Sequence, residues 1–195
     1  MSLIRAQRPA VALFAASDAD LPRATGLSQQ LGLPLVSGLT DPSTCVEFDA
    51  LLVVSGLQLA VQQTIRMSAG IAQNRRERSG RRQVGGALPG PVSVDFGSKA
   101  MRHRRRSGHN ELLGKAVGVS GKRQPRVLDA TAGLGRDSFV LADMGCSGTP
   151  CEGAPVIGAL LAGGLDHAGA RGREGRGAGG CAREAVGRSA SRLGG

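Results

Sequence analysis

The chain has neither Trp nor Tyr, and four Phe are the only aromatic residues among its 195. Any core must therefore be filled by aliphatic side chains, which is thin provision for a chain of this length. Cysteine is scarce as well. Cys45, Cys146, Cys151 and Cys181 show no CxxC pairing, which argues against both a zinc site and a disulfide framework and favours buried or incidental thiols in a reducing compartment. No apolar run is long enough to cross a bilayer, and the first residues lack a signal-peptide apolar core with its cleavage site. The expectation is a cytoplasmic protein without membrane attachment, monomeric in solution.

Two things are abundant. Glycine, at 31 residues, raises the entropy cost of ordering the chain. Basic residues outnumber acidic ones, 25 to 15, giving a net charge of +10 and a pI near 11.1. That balance fits a polyanionic partner, RNA first, and also fits a merely solvated basic surface.

The most informative stretch is Val127 to Gly145, VLDATAGLGRDSFVLADMG. A short apolar strand ends in Asp129, a small-residue turn carries Gly133 and Gly135, and an apolar helix follows that Gly145 is placed to stop. Strand, glycine turn and helix bring a nucleotide against backbone N–H groups at a helix start. The same pattern also occurs at ordinary strand-to-helix junctions. Gly133-x-Gly135 is half of a dinucleotide fingerprint, but Ser138 stands where the third glycine belongs, which disfavours a nicotinamide oxidoreductase and suits an S-adenosylmethionine site better. There Asp129 would orient the turn and the methionine amine, and the methionine carboxylate would face backbone amides and Arg136. An acidic residue roughly 20 residues on should hold the ribose, and Glu152 lies at that distance.

Two segments, VSVDFGSKAMRHRRRSGHNELLGKAVGVSG (Val92 to Gly121) and RVLDATAGLGRDSFVLADMGC (Arg126 to Cys146), resemble the family of small-subunit ribosomal RNA guanine-N2 methyltransferases known as RsmJ. A weaker match continues through CEGAPVIGALLAGGL (Cys151 to Leu165). The resemblance covers about a third of the chain and is specific in DATAGLGRD preceded by VDF and HRRR. It implies an α/β fold, a class I (Rossmann-like) methyltransferase behind a small N-terminal α/β domain, with S-adenosyl-L-methionine as cofactor and a guanine of 16S ribosomal RNA in the small ribosomal subunit as substrate. It places Arg136 with Asp137, and Glu152 with Gly153, on cofactor-binding positions.

Residues 1–64 read as the small α/β domain: a strand over Ala10–Ala15, a helix over Leu21–Leu31 capped by Asp18 or Asp20, and strands at Leu33–Val36, Ala50–Val54 and Leu57–Gln62. Residues 65–90 are basic with little apolar periodicity, and read as a disordered insertion, an artefactual one, or an RNA-binding arm. Residues 91–168 read as a partial methyltransferase domain. Within it Arg102, Arg104, Arg105 and Arg106 are placed to contact RNA phosphates, and Leu112, Leu113, Ala116 and Val117 form an apolar helix face. His103 is read as a surface residue rather than a proton carrier. The second strand of the site, Ser147 to Cys151, contains Gly148 and Pro150 and is expected to be compromised. Pro155 suits a helix start, with Val156, Ile157, Leu160, Leu161 and Leu165 as its stripe.

Residues 169–195 are rich in Gly, Arg and Ala and read as a disordered tail, either RGG-like or the product of an altered reading frame or truncated gene. On this reading the methyltransferase domain is incomplete at its C-terminus and lacks the family's Asp-Pro acceptor motif. No catalytic residue and no metal ligand is therefore assigned, and catalysis by this chain is expected to be weak or absent. The alternative function is that of a non-enzymatic basic RNA-binding protein.

Overall fold

A computed structural model describes residues 10–69, 88–106, 109–121 and 123–174. The chain divides into two compact units, Met1–Ser93 and Val94–Gly195.

The first unit is built on β1 (Val11–Ala15), α1 (Leu21–Leu31), β2 (Leu35–Val36), β3 (Ala50–Ser55), β4 (Gln58–Gln63) and β5 (Val92–Ser93). They form a five-stranded sheet in the order β2-β1-β3-β4-β5. β1 runs parallel to both β2 and β3, while β3–β4 and β4–β5 are antiparallel. The parallel strands are the continuous apolar runs VALFA and ALLVVS, as burial on both faces requires. Ala12, Leu13, Leu51, Leu52 and Val54 are fully buried, and so is Ala24 of α1, which packs on β1. Phe14, Cys45 and Leu51 share a cluster with Leu39 and Phe48, so two of the four phenylalanines are spent here.

Asp20 precedes α1 but makes no side-chain cap bond, which corrects the expected capping role. Its carboxylate instead accepts from the Ser17 hydroxyl at 2.6 Å and from the Gly56 N–H at 2.6 Å. The bond to Gly56 ties the loop after β1 to the β3–β4 turn. Residues 65–69, at the start of the stretch read as an insertion, are helical; residues 70–87 lie outside the described set.

The second unit contains α2 (Lys99–Arg106), α3 (His109–Val117), β6 (Arg126–Asp129), α4 (Arg136–Asp143), β7 (Ser147–Pro150) and α5 (Pro155–Glu174). β6 and β7 pair in parallel, with Asp129 opposite Pro150. β7 therefore forms in spite of Gly148 and Pro150, which corrects the expectation of a compromised strand. The reason is directional. The Cys151 N–H donates to the Asp129 carbonyl at 2.8 Å, and backbone nitrogens alternate sides along a strand, so the nitrogen of Pro150 faces away from β6 and no ladder bond is lost.

On α3 the expected apolar face is only partly buried: Leu112 is 66% exposed and Ala116 is exposed. α5 starts at Pro155 as expected, buries Leu160 and Leu161, and continues past Gly169 to Glu174, where the sequence reading had placed a disordered tail. Gly164 is a close-approach glycine. A Cβ there would lie 2.3 Å from Val94 Cγ1 and 2.9 Å from the Val94 carbonyl oxygen, so α5 reaches the Val94 backbone only because position 164 has no side chain. No described helix is long and apolar enough to cross a membrane.

Candidate cofactor site

The site forms where β6 and β7 end side by side and the chain turns into α4. Between them, Asp129 and Glu152 hold the turn through hydrogen bonds to backbone and side-chain donors. Asp129 closes β6; its Oδ1 accepts from the Thr131 N–H at 3.3 Å, and its Oδ2 accepts from the Ser138 hydroxyl in the first turn of α4. Glu152 follows β7; its Oε2 accepts from the Gly133 N–H at 2.8 Å, and its Oε1 from the Ala154 N–H at 2.8 Å. Backbone bonds complete the frame: Ala132 N–H to the Cys151 carbonyl at 2.9 Å, and Gly135 N–H to the Ala132 carbonyl at 2.8 Å. The turn is thus anchored from both strands, and the acidic groups sit where the first turn of α4 favours negative charge.

Gly133 and Gly135 both have left-handed backbones, at φ 54° and 72°. Their surroundings differ. A Cβ on Gly133 would meet no atom within 4 Å, so this part of the turn presents bare backbone to open space. A Cβ on Gly135 would lie 2.4 Å from Leu161 Cδ1 and 3.3 Å from Phe96 Cζ, so this glycine is buried against α5 and Phe96. Phe96 in turn stacks on Phe139 of α4, with ring centroids 4.5 Å apart and an interplanar angle of 11°. The other two phenylalanines therefore form the floor beneath the turn.

The sequence-predicted residues fall into three groups. Asp129, Gly133, Gly135 and Glu152 are brought together in one hydrogen-bonded turn. Arg136 and Asp137 are exposed on the first turn of α4, and Gly153 is exposed beside Glu152. Arg102, Arg104, Arg105 and Arg106 all belong to α2, whose Met101 is buried and whose His103 is exposed; the side chains of these four arginines lie outside the described set. Sequence reasoning missed Ser138 as a partner of Asp129, and it missed Phe96 and Leu161 as the support of Gly135. The VDF triplet signalled the first support only as a strand end.

The cysteines near the site differ. Cys146 is buried, and burial pushes its thiol above the usual range; Cys151 is half-buried. Among the described residues no three His, Cys, Asp or Glu side chains converge as a metal site.

A family model described as that of a SAM-dependent methyltransferase matches residues 54–176. The chain belongs to this family of SAM-dependent methyltransferases. Among curated proteins it is 56% identical over 69 residues to a ribosomal RNA small subunit methyltransferase J of Pseudomonas aeruginosa, covering 34% of this chain and 26% of that one. It is 39% identical over 127 residues to the protein of the same name from Cellvibrio japonicus, covering 64% of this chain and 40% of that one. These relatives bear out the resemblance drawn from DATAGLGRD and HRRR, and the matches span 26% to 40% of the relatives' lengths. A crystal structure of a SAM-dependent methyltransferase from Neisseria gonorrhoeae superposes with a TM-score of 0.52 at 29% identity, covering 80% of this chain and 52% of that one. The fold is that of a Rossmann-like methyltransferase, and the cofactor of the family is S-adenosylmethionine.

The residues present fit this cofactor. Each Glu152 oxygen accepts one backbone N–H and keeps a further lone pair for a ribose hydroxyl. The open face at Gly133 leaves room for a ligand to approach the backbone, and Arg136 supplies an exposed cation at the helix start.

Proposed function

We propose that this chain binds S-adenosylmethionine in the turn between β6 and α4 for methylation of ribosomal RNA, specifically at N2 of a guanine in 16S RNA of the small subunit, in the cytoplasm. The observation that carries the cofactor half is the Glu152 carboxylate held on the Gly133 N–H at the mouth of β7. The substrate half is supported by the names of the relatives and by the +10 charge, with four arginines on α2 to meet phosphates.

The bound cofactor supplies a sulfonium methyl for transfer to the guanine amine. The chain's own part is to orient it. Glu152 takes the ribose hydroxyls, Arg136 and the N–H groups at the start of α4 face the methionine carboxylate, and the arginines of α2 fix the RNA without reading its sequence. A guanine amine is reached only when the base leaves its stack.

Calorimetric titration of the full chain with S-adenosylmethionine, beside a Glu152→Ala control, tests the cofactor half. The expected result is micromolar binding that the substitution abolishes, followed by methyl transfer to isolated small ribosomal subunits. Salt-sensitive RNA binding with no cofactor affinity would replace this reading with that of a non-enzymatic basic RNA-binding protein.

A further inference from the structure

Ser138 occupies the position at which a dinucleotide-binding turn carries its third glycine, and it is put to a different use here. Its hydroxyl donates to Asp129 Oδ2, while Asp129 Oδ1 accepts from the Thr131 N–H. Ser138 lies in the first turn of α4 and Asp129 at the last residue of β6, so this one bond ties the helix start to the strand end across the whole glycine turn. Both Asp129 oxygens are thereby engaged inside the turn. Each oxygen keeps a further lone pair, so Asp129 braces the turn in addition to the role expected for it toward the methionine amine.

Glu152 braces the same turn from the other strand but touches it one residue from Leu134, at Gly133. The two braces divide the labour. Glu152 braces the turn at Gly133 from the mouth of β7, on the ribose side of the cofactor reading, and the Asp129–Ser138 pair braces it at Thr131 and at the start of α4, on the methionine side.

We propose that Ser138 is a positioning residue that acts through Asp129 to set the methionine-binding end of the site, leaving the adenosine end to Glu152. The inference rests on the cofactor reading above and deepens it. It also accounts for the missing glycine: where the dinucleotide motif brings helix and strand together by removing a side chain, this turn holds them with a hydroxyl–carboxylate bond.

The test compares two ligands on the full chain by calorimetry. S-adenosylhomocysteine carries the amino-acid end and adenosine lacks it. Ser138→Ala is expected to weaken S-adenosylhomocysteine by about tenfold, the scale of one charge-assisted hydrogen bond, and to leave adenosine within about twofold. Ser138→Thr, which keeps the hydroxyl, is expected to restore most of the affinity. In an Asp129→Asn background the Ser138→Ala effect should shrink to about threefold, because the amide leaves a neutral hydrogen bond where the carboxylate made a charge-assisted one.

Equal loss for both ligands would mean that Ser138 only stabilises the fold, and would overturn the proposal. So would unchanged affinity in Ser138→Ala, or a full tenfold effect retained beside Asp129→Asn. An unaltered chain that binds neither ligand would sink the cofactor reading itself, and the proposal with it.

Discussion

Gly135 offers the sharpest test of how the turn is supported. Substituting Ala introduces two separable costs. A left-handed backbone at φ 72° costs a residue with a Cβ about 1–2 kcal/mol. The new Cβ would also lie 2.4 Å from Leu161 Cδ1, and overpacking of a filled core costs roughly 1–3 kcal/mol. The expected loss for Gly135→Ala is therefore roughly 2–5 kcal/mol, a large share of the roughly 5–15 kcal/mol available to a folded domain. Leu161→Ala removes the obstructing methyl and costs roughly 2–5 kcal/mol on its own account. In that background Gly135→Ala should cost only the backbone share, about 1–2 kcal/mol, so the two substitutions should couple by about 1–3 kcal/mol.

The assay must suit a chain without Trp or Tyr, in which intrinsic fluorescence is nearly silent. The buried Cys146 lies in the same unit and reports its opening: thiol labelling at increasing urea, read by peptide mass, gives a midpoint for that unit alone. A Gly135→Ala loss of equal size with and without Leu161 would refute the steric argument. A loss under about 0.5 kcal/mol would refute both terms.

Two further predictions concern stability. Gly164→Ala would ordinarily gain about 1 kcal/mol of helix propensity, but its Cβ meets the Val94 carbonyl oxygen at 2.9 Å as well as the side chain; backbone yields little, so thermal unfolding should show net destabilisation, and a raised midpoint would contradict the packing described. The Ser17 hydroxyl and the Gly56 N–H hold the Asp20 carboxyl below its ordinary value of 3.8. A lowered folded pKa means that the unfolded chain binds more protons, so this contribution is complete above that value and is lost as the pH falls through the lower folded one. Asp20→Asn should accordingly lower the urea midpoint at neutral pH, with the deficit shrinking below pH 3.8; a deficit independent of pH would show that the charge is irrelevant.

Local patterns carried much of the architecture. The helix Leu21–Leu31 stands where the sequence placed it, and VALFA and ALLVVS are strands because runs of that kind pack on a covered sheet. The glycine turn was legible because it needs two left-handed residues within three positions. What escaped was contact between distant residues. Asp20 looked like a helix cap, but the N–H that claims it belongs to Gly56. Phe96 looked like the end of a strand, and its stacking on Phe139 has no local signature. Gly164 lies within an apolar helix pattern, and the close approach of Val94 to it has no local signature either. Ser138 was noticed only as an absent glycine, and its bond to Asp129 depends on the turn between them.

Pro150 has a consequence beyond the pairing of β6 and β7. Pro150 is buried, and its side away from β6 carries a carbonyl but no donor, beside the Cys151–Glu152 corner. A strand pairing with that side of β7 would find no donor at this position. The same residue that weakens β7 on paper thus costs the strand one donor on its far side and none toward β6.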